Sequence, residues 1–507
     1  MHEAANAAEH HNEICVPVMA RDCVCYKIDF PMELSMTASL ELCSKTATEL
    51  RHLIDSRSIS AMELLHAHLA QIEAVNPAVN AIVTLVPGHA EKMAKAVDDQ
   101  IARGENPGLL AGLPVAHKDL FITKGIRTTY GSRLFKDHVP DSNSLIVQRI
   151  INAGAVTLGK TNTPEWGAGS QTFNDVFGAT LNPYDTSKTC GGSSGGAAVA
   201  LASRMLPIAD GSDMGGSLRN PASFCNVVGL RVSPGRVPAF PSESAWFTLP
   251  VVGPMARTVE DCALLLSAIA GPDPRVPISI DESGARFLEP LQRDFKGVKI
   301  ALSADFDGQL PVARSVQDII KGSIGIFESI DCTVEEKCPD FTDADYVFKT
   351  LRAWSFSALH QDNISKHRDF YKQSIIWNVQ EGLKLSGLDI ARAERMRTEL
   401  FRRIGDMMQQ YEYLVLPVSQ VPPFDVSQEY VTEIEGQKME TYIDWMKSSY
   451  YISNTGLPAI SVPCGFTDEG LPVGLQIVGR HHQELSVLQL AYAFQQANPV
   501  WRTAPKR

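Results

Sequence analysis

From about Thr46 onward, helix-patterned segments alternate with short apolar runs, and this alternation leaves few folds open. Ser60-Ala-Met-Glu63 has the form of a capping box. Leu65, Leu69 and Ile72 follow at helical spacing, and Asn76-Pro77 is expected to end that helix. Residues 144–153 (SLIVQRIINA) read as a second helix, and Ala155-Val-Thr-Leu158 as a short buried strand. Further strands are expected at Leu113–Ala116, Pro207–Ala209, Val298–Leu302, Leu414–Leu416, Ala459–Val462 and Leu475–Val478. Apolar runs of this length, without polar alternation, suit strands covered on both faces. The expected fold class is therefore α/β: one large α/β/α domain over residues 44–507, with a central mixed β-sheet covered by helices.

Residues 1–43 show weak periodicity and read as an N-terminal extension compatible with disorder. Their start, MHEAANAAEHHNEIC, lacks the basic and apolar stretches of a secretory signal. No apolar run is long enough for a transmembrane helix, so no membrane partner is expected. Residues 340–410 are mostly helical and carry Trp354, Phe356, Phe370, Tyr371 and Trp377. Core packing explains such aromatics, and a helical cap over a substrate pocket is the alternative.

A chain of 507 residues with 44% hydrophobic content has ample material for a large core. Its formal charge of −12 gives no sign of a nucleic-acid surface, and no nucleic-acid partner is expected. The cysteines are scattered with no CxxC pair, which fits a reduced, cytoplasmic setting. His10, His11, Cys15, Cys23 and Cys25 fit no standard metal spacing. No metal and no cofactor is expected.

The stretch Gly191–Gly196, GGSSGG, admits three readings. A flexible linker would be longer and would separate domains, whereas this one runs directly into the apolar segment AAVALASRM. A phosphate cradle would need GxxxxGK[ST]. That pattern occurs only at Gly154–Thr161, where its central residues read as a strand instead of the loop that opens a helix. The third reading is catalytic, and the next segment favours it. In GSDMGGSLRNPASFC (residues 211–225), Ser217 follows two glycines that let backbone N–H groups approach a ligand closely. A serine nucleophile surrounded by N–H donors is what acyl transfer requires. No GxSxG motif supplies a histidine base. Lys118, in AGLPVAHKDLFITKG, ends an apolar strand, where burial lowers an amine's pKa and makes it a competent base. Taken alone, Lys118 beside Asp119 reads more readily as an ion pair.

The Lys118 segment, GGSSGG and GSDMGGS, in this order and spacing, resemble the amidase signature family. The resemblance spans about residues 44–500 and includes GKTNTPEWGAGS, FGATLNPYD, GLRVSPGRVP, GPMARTVEDCALLL and the C-terminal NTGLPAISVPCGF. It implies a Ser–cis-Ser–Lys triad, with Ser217 as nucleophile, Ser193 as bridging serine after a cis bond from Gly192, and Lys118 as base. It implies an oxyanion hole from the N–H groups of Met214, Gly215, Gly216 and Ser217. Gly167, Gly169 and Ser170 match residues lining the acyl side of the pocket. Ser194, Asp213 and Arg219 are expected to support the loop, the last two by pairing with each other. A catalytic role for Cys190 is not expected.

The leading functional expectation is a free-standing serine amidase acting on linear amides. Its substrate would be a small, uncharged, bulky or aryl amide, with side activity on esters or carbamates, and the protein would be a monomer or homodimer. The alternative is the A subunit of a glutamyl-tRNA amidotransferase, which works with partner subunits and passes ammonia onward. Residues 233–250, SPGRVPAFPSESAWFTLP, diverge from the more regular stretch expected of that subunit. A binding protein on an inactive amidase scaffold ranks last, because all three catalytic positions hold the required residues.

Overall fold

The computed structural model describes residues 13–18, 22–27 and 36–506. Within the expected N-terminal extension, Glu13–Val18 pairs antiparallel with Asp22–Lys27, and Met36–Ser44 is a helix packed against Ala61–Val79. His10 and His11 lie outside the described residues.

The centre is a mixed eight-stranded sheet. Its order is Thr333–Glu336, Lys299–Leu302, Tyr413–Pro417, Pro472–Val478, Ala459–Phe466, Val228–Arg231, Val251–Ala256 and Ile208–Asp213. Lys299–Leu302 is parallel to both of its neighbours, and every other pairing is antiparallel. The inner strands Tyr413–Pro417, Pro472–Val478, Val228–Arg231 and Val251–Ala256 are buried along their whole length, as expected for strands covered on both faces. Helices cover the sheet and share one large apolar core with it.

A smaller three-stranded sheet positions Lys118. Val156–Thr161 lies between Ile82–Leu85, antiparallel, and Pro114–Lys118, parallel. Pro114–Lys118 also lies beside Ile208–Asp213, the edge strand of the large sheet. Across this junction the Lys118 N–H donates to Asp210 Oδ1 at 2.8 Å.

Local signals place some of the helix starts. Thr46 with Glu49 and Ser60 with Glu63 both form complete capping boxes. The helix expected to stop at Asn76-Pro77 instead runs through Ala61–Val79 and closes on Asn80 in the left-handed conformation. Pro77 sits so near the end that little helix is left to disrupt. The Asn76 side chain binds the exit strand, donating to the Ile82 carbonyl and accepting the Ala81 and Ile82 N–H groups at 2.8–2.9 Å.

The helix after GGSSGG is Gly195–Ala202, so the last two glycines of the motif form its first turn. They are required by close approach. A Cβ on Gly196 would lie 2.3 Å from the Asn162 nitrogen and 2.6 Å from the Ala81 carbonyl oxygen. Because both contacts are backbone, Gly196→Ala is expected to destabilise the fold by about 1–3 kcal/mol, read as a lowered thermal midpoint.

The P-loop-like sequence has a structural explanation. Lys160 and Thr161 belong to the strand Val156–Thr161, and buried Lys160 donates to the Phe121 carbonyl and to Thr123 Oγ1. The next α-helix begins only at Gly195, so this strand opens onto no helix N-terminus that could hold a phosphate.

Candidate active site

Lys118 is fully buried at the end of its strand, with Nζ 2.8 Å from Ser193 Oγ, 2.8 Å from Ser194 Oγ and 3.0 Å from Ser212 Oγ. Burial lowers its pKa to about 7, against the opposing pull of Asp213 and Asp210. The ion pair with Asp119 does not form, since the Asp119 carboxylate accepts the N–H and O–H of Thr129. Lys118 is positioned from the neighbouring strand: Asp210 accepts its N–H and is also 2.5 Å from His117 Nδ1, while His117 Nε2 reaches Thr157 Oγ1 at 3.0 Å.

The Gly192–Ser193 peptide is cis. Its carbonyl side is held by Ser170, whose hydroxyl donates to the Gly192 oxygen at 3.0 Å, and Thr172 does the same for Gly191 at 2.9 Å. The Ser170 hydroxyl is therefore committed to the Gly192–Ser193 segment. Gly167 lies against Ser193, where a Cβ would be 3.4 Å from its Oγ. Gly169 faces the ring of Tyr442.

The second serine segment is tied to the first: the Ser194 N–H donates to the Ser217 carbonyl at 3.2 Å. Ser217 is buried to 7% exposure at the end of a tight loop in which Gly216 has φ +117°. Asp213 organises that loop, its carboxylate accepting the N–H groups of Gly216 at 2.9 Å and Leu218 at 3.2 Å. Of the four N–H groups expected in the oxyanion hole, that of Gly216 is thus engaged. Those of Met214, Gly215 and Ser217 have no partner among the hydrogen bonds of the described residues.

Asp213 and Arg219 form the expected pair, with both guanidinium contacts at 3.1 Å. Arg231 joins them, reaching Asp213 Oδ1 at 3.2 Å and its carbonyl at 2.6 Å. Burial acts to raise the Asp213 pKa, but the two guanidinium groups overcome it and hold the carboxyl well below the usual range. Cys190 is buried, and burial pushes its thiol up to about 12, so it holds no thiolate near neutral pH.

Aromatic groups surround this centre. Trp166, at φ +51°, stacks on Tyr130 at 4.5 Å and contacts His360 at 5.0 Å. Phe356, Tyr371 and Ile375, from the helical region 344–383, cluster with Ala168, Trp166 and Met214. The aromatics of that region divide: Phe356 and Tyr371 are buried, whereas Trp354 and Phe370 are 38% and 44% exposed. Sequence reasoning missed Asp210, Ser212, Arg231, Arg352 and Tyr442. Asp210 and Ser212 lie in or beside the motif that carries Ser217, and that proximity is a signal. Arg231, Arg352 and Tyr442 carry no local signal.

A buried lysine on two serine segments, beside unengaged backbone N–H groups, defines a serine amidohydrolase. A family model described as Amidase matches residues 63–488, and the chain belongs to this family. It is 34% identical over 491 residues to the A subunit of the glutamyl-tRNA(Gln) amidotransferase of Geobacillus thermodenitrificans (strain NG80-2), covering 92% of this chain and 100% of that protein. Among solved structures it resembles a bacterial aryl acylamidase of the amidase signature enzymes, with TM-score 0.85 and 29% identity, covering 90% of this chain and 96% of that one. It also resembles the A subunit of the glutamyl-tRNA(Gln) amidotransferase of Thermotoga maritima, with TM-score 0.74 and 26% identity, covering 91% and 96%.

The full-length relationship to the Geobacillus protein overturns the expectation of a free-standing amidase for uncharged bulky or aryl amides. Residues 233–250 misled because most of Ala239–Thr248 is exposed loop, with Trp246 76% exposed, and exposed loops vary readily among relatives. The same finding corrects the expectation of no nucleic acid, with only a small-molecule amide or a second copy as partner. Net charge describes one chain and is silent on what an assembly containing it binds. Among the described residues, no helix is long and apolar enough to cross a membrane.

Proposed function

We propose that this chain is the amide-hydrolysing A subunit of a glutamyl-tRNA(Gln) amidotransferase, releasing ammonia from an amide donor for use by partner subunits. The observation that carries this reading is the 34% identity extending over 100% of the Geobacillus protein. Under it, residues 44–507 act as one amidase domain, and the helices within 340–410 cap the pocket. A cytoplasmic setting is part of the proposal. It is supported by the free thiols at Cys190, Cys225, Cys262, Cys332, Cys338 and Cys464.

In the chemistry we propose, Ser217 Oγ attacks the amide carbon. Its proton passes through Ser193 to Lys118 Nζ. A neutral amine has two N–H donors and one lone pair, which matches the three hydroxyl oxygens around Nζ. The oxyanion receives hydrogen bonds from the N–H groups of Met214, Gly215 and Ser217. Lys118 then returns the proton through Ser193 to the departing nitrogen, ammonia leaves, and water cleaves the acyl-enzyme along the same path.

With Lys118 at about 7, the base form is lost as pH falls. When chemistry is rate-limiting, kcat/KM is expected to fall about tenfold per unit below that value and to level off above it. A pH–rate profile flat to pH 5 would exclude Lys118 as the base.

The assembly reading is tested by supplying the chain with the remaining subunits of a bacterial enzyme of this kind, glutamine, ATP and glutamyl-tRNA(Gln). Formation of glutaminyl-tRNA(Gln), with ammonia release accelerated by the partners, is the expected result. Neither tRNA amidation nor any effect of the partners on amide hydrolysis would overturn it.

A further inference from the structure

We propose that Arg352 is a specificity-determining residue that binds a carboxylate on the acyl part of the substrate. Arg352 lies on the helix Ala344–His367 and is only 6% exposed, yet no carboxylate pairs with it among the described residues. The other deeply buried guanidinium groups of this region are neutralised, Arg219 and Arg231 by Asp213 and Arg236 by Glu484. Arg352 instead points Nη1 at the Met214 thioether, 3.4 Å away, and Nη2 at the Tyr442 hydroxyl, 2.6 Å away. A thioether is a weak acceptor, and Nε is buried with no partner at all. Its face rests on the Phe356 ring at 4.3 Å, which supports the cation without satisfying its donors.

A buried cation lacking an anion is costly, and such groups persist where a ligand completes them. The surroundings indicate which ligand. Met214 belongs to the nucleophile loop, two residues from Gly216. Phe348, one turn before Arg352, packs so closely on that loop that a Cβ on Gly215 would lie 2.7 Å from its ring. Tyr442 faces Gly169, and Gly167, two residues earlier in the same segment, borders Ser193. Arg352 and Tyr442 therefore stand in the ring of residues that runs from the relay serine round to the nucleophile loop. The Tyr442 oxygen accepts from both Arg352 and Asn378 at 2.6 Å, which leaves its own O–H to donate. His360, beside this group, is pushed down to about 4 by burial and then by Arg352, so it adds no second positive charge near neutral pH. One guanidinium and one phenolic O–H, side by side and without an anion, are the donor set for a carboxylate.

This inference rests on amide hydrolysis at Ser217 and deepens the amide-donor reading, since it requires a donor with a carboxylate remote from its amide. It does not depend on partner subunits. Its test compares two amides of similar length, glutaramate, which ends in a carboxylate, and pentanamide, which is neutral. The wild-type chain is expected to favour glutaramate in kcat/KM. In Arg352→Met that ratio should fall roughly 10- to 100-fold, mainly through KM, and Arg352→Lys should recover part of it. A second measurement needs no turnover: glutarate should slow fluorophosphonate labelling of Ser217 in the wild type, with protection lost in Arg352→Met. Circular dichroism and thermal melting confirm that each variant is folded.

An unchanged ratio with both rates reduced together, or equal glutarate protection in the two proteins, would overturn the proposal and make Arg352 a packing residue. Absence of Ser217 labelling in the wild type would remove the serine reading and this inference with it. Carboxylate selectivity that depends on Arg352, in a chain that supports no tRNA amidation, would leave the inference standing while the assembly reading fell.

Discussion

Ser217→Ala is expected to abolish measurable amide hydrolysis, a loss on the order of 10⁴-fold or more in kcat, while substrate binding persists. Lys118→Met should cost a comparable factor, because Ser193 then has no acceptor to which it can pass the proton. The two losses should not multiply. In the proposed chemistry nucleophile, relay and base act as one unit, so the double variant is expected to be no slower than Ser217→Ala alone. Single-turnover kinetics on the three proteins would establish this. Multiplicative losses would mean that Lys118 contributes independently of Ser217. Fluorophosphonate labelling offers a second readout. It should vanish in Ser217→Ala and slow strongly in Lys118→Met, since both hydroxyls the relay needs remain but the base is gone.

The largest expected effect on stability comes from Asp213→Ala. This carboxylate faces two fully buried guanidinium groups, Arg219 and Arg231, and also binds the Gly216 and Leu218 N–H groups. Removing it leaves two uncompensated cations in the core, at a cost of about 3–5 kcal/mol for breaking a buried pair. Arg219→Met should be milder, because Arg231 still accompanies Asp213 and only one set of donors is lost. Chemical denaturation of both variants gives the order. If Asp213→Ala were the more stable of the two, the loop would be held by its glycines and backbone instead of by this charge cluster. Activity should fall with stability in Asp213→Ala, since the same carboxylate sets the turn that carries Ser217.

Much of this site is legible in the sequence. Lys118, Ser193 and Ser217 lie in glycine-rich or strand-end segments whose local sequence reports their conformation. Close backbone approach demands glycine at positions such as Gly196, and a buried strand demands the apolar run before Lys118. The pairing of Asp213 with Arg219 is also within reach, because they are six positions apart across one tight loop. The helix end at Asn76-Pro77 misleads for a similarly local reason. Proline commonly follows a helix end, but here Pro77 stays inside the last turn and the Asn76 side chain binds the exit strand.

The sequence by itself determined the α/β layering and the family, and it singled out Lys118, Ser193 and Ser217 as the candidate relay, since each is written in short segments with their own steric requirements. Tertiary structure decided what those residues can do. The lowered pKa of Lys118, at about 7, follows from complete burial where two sheets meet. Arg231 reaches Asp213 from a neighbouring strand, and Arg352 reaches Met214 across 138 positions of chain. Charge balance in a dry interior depends on which groups are brought within a few ångströms, and no local pattern records that.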